Sequence, residues 1–225
     1  MPESRNHGPL PALLLALTVT TGVVDAVSYL VLGHVFVANM TGNVVFSGFA
    51  VSGVGGVSWS ATLLAVAAFG AGAYLGGRHV GGSTTHRGRL LALSTAAQCA
   101  VVLVAAGLAA LADPGRRAVQ LALVALLAVA MGMQNAVVRR LAVPDLTTTV
   151  LTLTTAGLFA DRTTARVRGV RVASILAMAA GALGGGLLLR HADVAAPLWT
   201  AAGLLAGCSV AADRLSRGRS AEAWG

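Results

Sequence analysis

Residues 10–32 read LPALLLALTVTTGVVDAVSYLVL, and the only charge among them is Asp25. As a helix this run is about 34 Å long, enough to cross the ~30 Å hydrocarbon core of a bilayer. A helix that is apolar all round has no face for water, so it lies in a membrane or in a large core. Composition decides between these. Of the 225 residues, 56% are hydrophobic and 11% are charged, whereas a soluble domain carries about 25% charged residues. A surface so poor in charge cannot be kept wet. That excludes a soluble enzyme, a secreted disulfide scaffold and a disordered tail. All sixteen basic residues are arginine, set against eight acids, for a net charge of +8. The arginines fall between apolar runs, where they orient helices, so no nucleic-acid partner is inferred from the excess.

Seven further apolar runs follow, at 36–57, 60–77, 90–112, 118–138, 146–160, 172–189 and 197–212. Most approach the ~20 residues a span requires. Run 146–160 does not, since it reaches only about 22 Å as a helix and is crowded with threonine. Run 36–57 is long enough but is interrupted by Asn39, Thr41, Gly42, Asn43, Ser47 and Gly48. Both are expected to be short or re-entrant polar segments covered by protein. The expected fold class is thus all-α: a polytopic transmembrane helix bundle of about six spanning helices plus two short or re-entrant polar segments. Counting arginines favours this arrangement. With both polar segments dipping in and the N-terminus inside, 13 arginines lie inside and 3 outside. Eight spans would give 10 and 6, and re-entry of the sixth run alone, with the N-terminus outside, 12 and 4. The positive-inside rule selects the first. Arg5 precedes an apolar stretch, as in a signal peptide, but the run continues too far; a retained first helix is expected.

An internal repeat organises these runs. GVVDAV at 22–27 matches GMQNAV at 132–137, an offset of 110 residues, and the same offset pairs Phe49-Ala50 with Phe159-Ala160. Gly72, Gly76 and Arg78-His79 correspond, nearly at that spacing, to Gly181, Gly185 and Arg190-His191. The expected organisation is an N-terminal tail (1–9), one membrane domain (10–212) of two repeats (about 10–112 and 118–212), and a basic C-terminal tail (213–225). Three spans per repeat would invert the second half relative to the first. Inverted repeats with interrupted helices are a common plan for transporters and channels, with the site near the midplane.

The blocks GVVDA at 22–26, FVANMTGN at 36–43, GMQNA at 132–136 with Arg139-Arg140, and the threonine run 147–155 resemble the YoaK-like family of bacterial integral membrane proteins. The resemblance extends from about residue 10 to 212. It implies a multi-pass protein of the bacterial cytoplasmic membrane with about six helices, in a family of unknown function, and brings no established activity. In the second half that family tends to repeat a Thr-Gly pair, where this chain has Thr152-Leu153-Thr154.

Asp25 is the acid inside an apolar run. Burying its ionised form in hydrocarbon costs about 2.5–3.5 kcal/mol on insertion scales. It must face the bundle interior, find donors or stay protonated. Two readings stand: a proton-coupling or cation-binding site, and a structural carboxylate that accepts hydrogen bonds from a helix-breaking loop. The repeat places Asn135 at the equivalent position. In the block Asn39-Met40-Thr41-Gly42-Asn43, Gly42 allows a backbone break whose freed polar groups could meet a substrate or ion; alternatively the polar side chains only cement packing. Gln134 and Asn135, with Thr149 and Thr152, could line a polar cavity, although threonine hydroxyls can simply bond back to the preceding helical turn. Gly72 with Gly76, and Gly181 with Gly185, form GxxxG pairs that permit close helix approach within the bundle or between protomers, leaving a homo-oligomer open. Cys99 and Cys208 lie in apolar runs without metal-ligand spacing, and no histidine has the partner a zinc motif needs. No metal, no cofactor and no enzymatic activity are expected. The partners expected are the lipid bilayer and a small molecule or ion. The leading functional expectation is a small-molecule transporter coupled to protons or ions through Asp25. The alternatives are a passive channel and a non-transporting scaffold.

Overall fold

The computed structural model describes residues 8–53, 58–80, 86–143, 146, 148 and 151–217. These residues are helical throughout, apart from short connections: α1 (Leu10–Val31), α2 (Met40–Ser52), α3 (Trp59–Leu75), α4 (Arg87–Leu111), α5 (Arg117–Leu141), α6 (Leu151–Ala160), α7 (Ala165–His191) and α8 (Ala195–Arg217). A π-helical turn, Gly76–Val80, prolongs α3. Six of these helices are long and apolar enough to cross a membrane: α1, α3 with its π turn, α4, α5, α7 and α8. The interrupted and threonine-rich runs form α2, of 13 residues, and α6, of 10. Neither is long enough to span.

Local chemistry sets the helix ends. Pro9 precedes α1, where a missing N–H is harmless. Gly33 and His34 follow with positive φ (98° and 57°) and turn the chain. The Ser58 hydroxyl accepts from Ala61 N at the start of α3, and Thr164 accepts from Val167 N at the start of α7. Asp193 accepts from Ala196 N at the head of α8.

Three close helix pairs make the bundle: α1 on α7, α3 on α5 and α4 on α8. Contacts of α4 with α5 and of α1 with α8 join the pairs, so that α1 and α5 are the most buried spans and α7 the least. The small helix α2 rests on α3, and α6 rests on α7. Exchanging each helix for the one four places along reproduces these principal pairings.

Glycine makes the closest crossings. A Cβ added to Gly72 would lie 2.1 Å from Val129 O of α5, and one added to Gly132 of α5 would lie 2.1 Å from Phe69 O of α3. The same reciprocity joins α1 to α7: a Cβ on Gly181 would lie 2.1 Å from Val19 O, and one on Gly22 would lie 2.3 Å from Met178 O. Gly76 abuts the Met133 backbone, and Gly185 abuts Val23 and Ala26. These crossings lie within one chain and bring backbones into contact that any side chain would hold apart.

The polar segments are less covered than expected. Asn43 is the buried residue of α2 and Thr154 that of α6. Their outward faces carry Val44, Val45, Phe49 and Val51 on α2, and Leu153 and Phe159 on α6. Apolar side chains turned outward satisfy hydrocarbon as well as a protein neighbour does, which is why these short helices need little cover.

Candidate functional site

Breaking a helix inside a bundle frees backbone N–H and C=O groups that must find partners. Between α1 and α2 the partners are two side chains. The Asn43 amide clamps the Phe36 backbone: Oδ1 accepts from Phe36 N at 2.9 Å and Nδ2 donates to Phe36 O at 2.5 Å. The next two N–H groups, of Val37 and Ala38, donate to Asp25 Oδ1 at 3.2 and 3.1 Å. Asp25 is 8% exposed and Asn43 fully buried. The carboxylate of α1 thus holds the segment that leads into α2. Gly42 is not the break. It lies in the first turn of α2, where a Cβ would come 2.8 Å from the Phe36 ring. The chain turns earlier, at Gly33 and His34, because the left-handed conformation there ends α1. The Phe36 ring stacks on Tyr29 and on Phe46, with centroids at 5.1 and 5.9 Å, and those two rings lie 6.4 Å from each other.

A second polar group crosses the core. Gln134 of α5 accepts from Gln98 Nε2 of α4 at 2.8 Å, and donates to Thr21 Oγ1 of α1 at 2.9 Å and to Thr148 Oγ1 at 3.2 Å. All four residues are buried, and Gln98 Oε1 has no hydrogen-bond partner among the described residues. Thr148 holds a positive φ of 54°, unusual for a β-branched residue. Thr21 lies one turn before Asp25 on α1, so the amide network and the carboxylate share one face of that helix.

The expected residues therefore divide. Asp25 and Asn43 meet at the α1–α2 connection, and Gln134 anchors the amide network. Asn135 is half-buried and donates to Met131 O one turn back. Asn39, Thr41 and Thr152 are exposed. Thr149 lies outside the described residues. Two features escaped the sequence reading. Gln98 is the lone amide of its apolar run, which was a usable signal. Arg171 is buried in α7 and pairs with Asp161 at 2.8 Å, fastening the end of α6; in sequence it is one more arginine in a basic loop. Among the described residues, no three His, Cys, Asp or Glu side chains gather as a metal site. Cys99 and Cys208 are buried and free.

A family model described as a protein of unknown function (DUF1275) matches residues 13–211. The UPF0700 transmembrane protein YoaK of Bacillus subtilis (strain 168) is 34% identical over 151 residues, 66% of this chain. The match spans 65% of that relative's own length. No solved structure matches.

Proposed function

We propose that this chain, which belongs to the DUF1275 family of proteins of unknown function, is a small-molecule transporter of the bacterial cytoplasmic membrane, coupled to protons or ions through Asp25. One observation carries the reading: a buried carboxylate on a spanning helix accepts two successive N–H groups, of Val37 and Ala38, in the segment leading into a short helix. Hydrogen bonds to an ionised acceptor are roughly twice as strong as neutral ones. Proton or cation binding at Asp25 removes that advantage from two bonds together, so its charge state biases the position of the α1–α2 connection. The Gln98–Gln134–Thr21–Thr148 group, one turn along α1, supplies uncharged polar groups through which a substrate could be recognised.

Two related halves complete the reading. The 110-residue offset, the reciprocal glycine crossings and the pairing scheme that survives exchange of the halves all support it. With three spans each, the halves are inverted, and Asn135 takes the place of Asp25 in the second. One titratable group then serves a pseudo-symmetric pair of positions. Nothing in this mechanism changes the substrate covalently, and the protein is read as a carrier rather than an enzyme.

The test begins with an untargeted uptake screen of mixed metabolites into proteoliposomes under a pH gradient. Asp25→Asn keeps an acceptor for Val37 N and Ala38 N, so the variant should fold. It should lose pH-driven uptake while sparing counterflow of bound substrate. Wild-type pH-dependent uptake by Asp25→Asn would remove Asp25 from coupling. A structural carboxylate would instead give lower stability with no selective loss of proton coupling. A linear flux indifferent to pH would identify a passive channel.

A further inference from the structure

At the C-terminal end of α5, an open cleft of about 500 Å³ lies between α3 and α5, lined by Phe69, Ala73, Asn135, Ala136, Arg139 and Arg140. Its floor is apolar and its rim cationic, and no carboxylate is among these lining residues. Beside it α3 passes into its π-helical turn, and Gly77 O of that turn accepts from Arg140 Nη1 at 3.0 Å. Arg78, in the same turn, lies 5.1 Å over the Tyr74 ring and donates to its hydroxyl at 3.3 Å. Arg87, at the head of α4, donates to Leu141 O. One end of the bundle thus gathers Arg78, Arg87, Arg139 and Arg140 around two helix C-termini. An exposed tyrosine paired with arginine at a span's end is typical of the headgroup level of a bilayer.

We propose that this cleft binds the phosphate head of an anionic phospholipid. Arg139 and Arg140 present N–H donors to the phosphate oxygens, while Phe69, Ala73 and Ala136 lie against the glycerol and first methylenes. The cleft is too small for a whole lipid, and the remaining chain length continues into the bilayer. A hydrated inorganic phosphate would use the same arginines but would gain nothing from the apolar floor. That difference in chemistry selects the lipid. Basic pockets between spanning helices on the cytoplasmic side recognise phospholipid heads in this way. The site stands independently of the coupling assigned to Asp25.

The full chain, purified in neutral detergent, would be titrated with dioleoylphosphatidylglycerol, dioleoylphosphatidylcholine or inorganic phosphate, reading bound lipid by native mass spectrometry and thermal stability alongside. The anionic lipid should bind in preference to the zwitterionic one. Arg139→Gln should weaken that preference about fivefold, the effect of one surface cation. Ala136→Phe, which fills the cleft without changing charge, should also displace the lipid. Arg190→Gln, at the far end of α7, should leave binding unchanged. Equal binding of the two lipids, or an equal loss in Arg190→Gln, would overturn the proposal. Inorganic phosphate that competes with the lipid while Ala136→Phe has no effect would replace the lipid with a free-phosphate site.

Discussion

Asn43 hydrogen-bonds both the N–H and the C=O of one residue, Phe36, in the α1–α2 connection. Asn43→Ala strands that N–H and C=O together, at about 1–3 kcal/mol per unsatisfied buried group. Thermal unfolding in detergent should show a clear loss. Asn43→Asp keeps one of the two bonds and should fall between. The amide network makes a similar ranked prediction. Gln134 holds three partners and Gln98 one. At about 0.6 kcal/mol for an average interhelical bond in a membrane protein, Gln134→Leu should cost about 2 kcal/mol and Gln98→Leu clearly less. A reversed order in chemical denaturation would show that the unpartnered Gln98 Oε1 is stabilised by something beyond Gln134. At this scale Asp25 was legible in sequence because a lone acid in an apolar run must be accounted for. The reading of a carboxylate that accepts from a helix-breaking loop matches the bonds found; which N–H groups donate was not legible, because main-chain donors 12 and 13 residues away leave no side-chain signature.

Helix crossings, in contrast, depend on where a glycine faces. Gly72 and Gly181 meet carbonyl oxygens of the facing helix, whereas Gly70 and Gly184 have open space around the position a Cβ would take. Gly72→Ala and Gly181→Ala should therefore destabilise, because a 2.1 Å approach requires the helices to separate. Gly70→Ala and Gly184→Ala should be neutral or gain up to about 1 kcal/mol of helix propensity. Equal melting temperatures for all four variants would contradict the crossing geometry. The sequence marks all four as glycines in helices; only the facing backbone distinguishes them. The short helices carry the same lesson. Their length was readable from the interrupting residues and the threonines, but the outward turn of Val44, Phe49, Leu153 and Phe159 was not.

Across the whole molecule, six candidate spans, with α2 and α6 not crossing, would put the ends of α3 and α5 and the starts of α4 and α7 on one side of the membrane. The positive-inside rule predicts that this side faces the cytoplasm. Single cysteines replacing the exposed Arg89, Arg139 and Arg168 should resist a membrane-impermeant thiol reagent in intact cells. Cysteines replacing Arg116 and Arg190 should react. Labelling of Arg139→Cys with protection of Arg168→Cys would mean that the segment containing α6 crosses the membrane.

Long apolar runs determined the membrane class and the six helices long enough to span, and arginines confined to the gaps between them carry the expected orientation. These are transfer free energies, which each residue contributes wherever its neighbours lie. The 110-residue offset between GVVDAV and GMQNAV is likewise read along the chain without reference to neighbours in space. Tertiary structure alone decided which polar groups meet: Asp25 with the Val37 and Ala38 peptides, Gln98 with Gln134 and Thr21, Arg171 with Asp161. In hydrocarbon a polar atom must find a partner, but any donor or acceptor within reach will serve. Burial therefore dictates that a bond forms, and only the folded geometry dictates with whom.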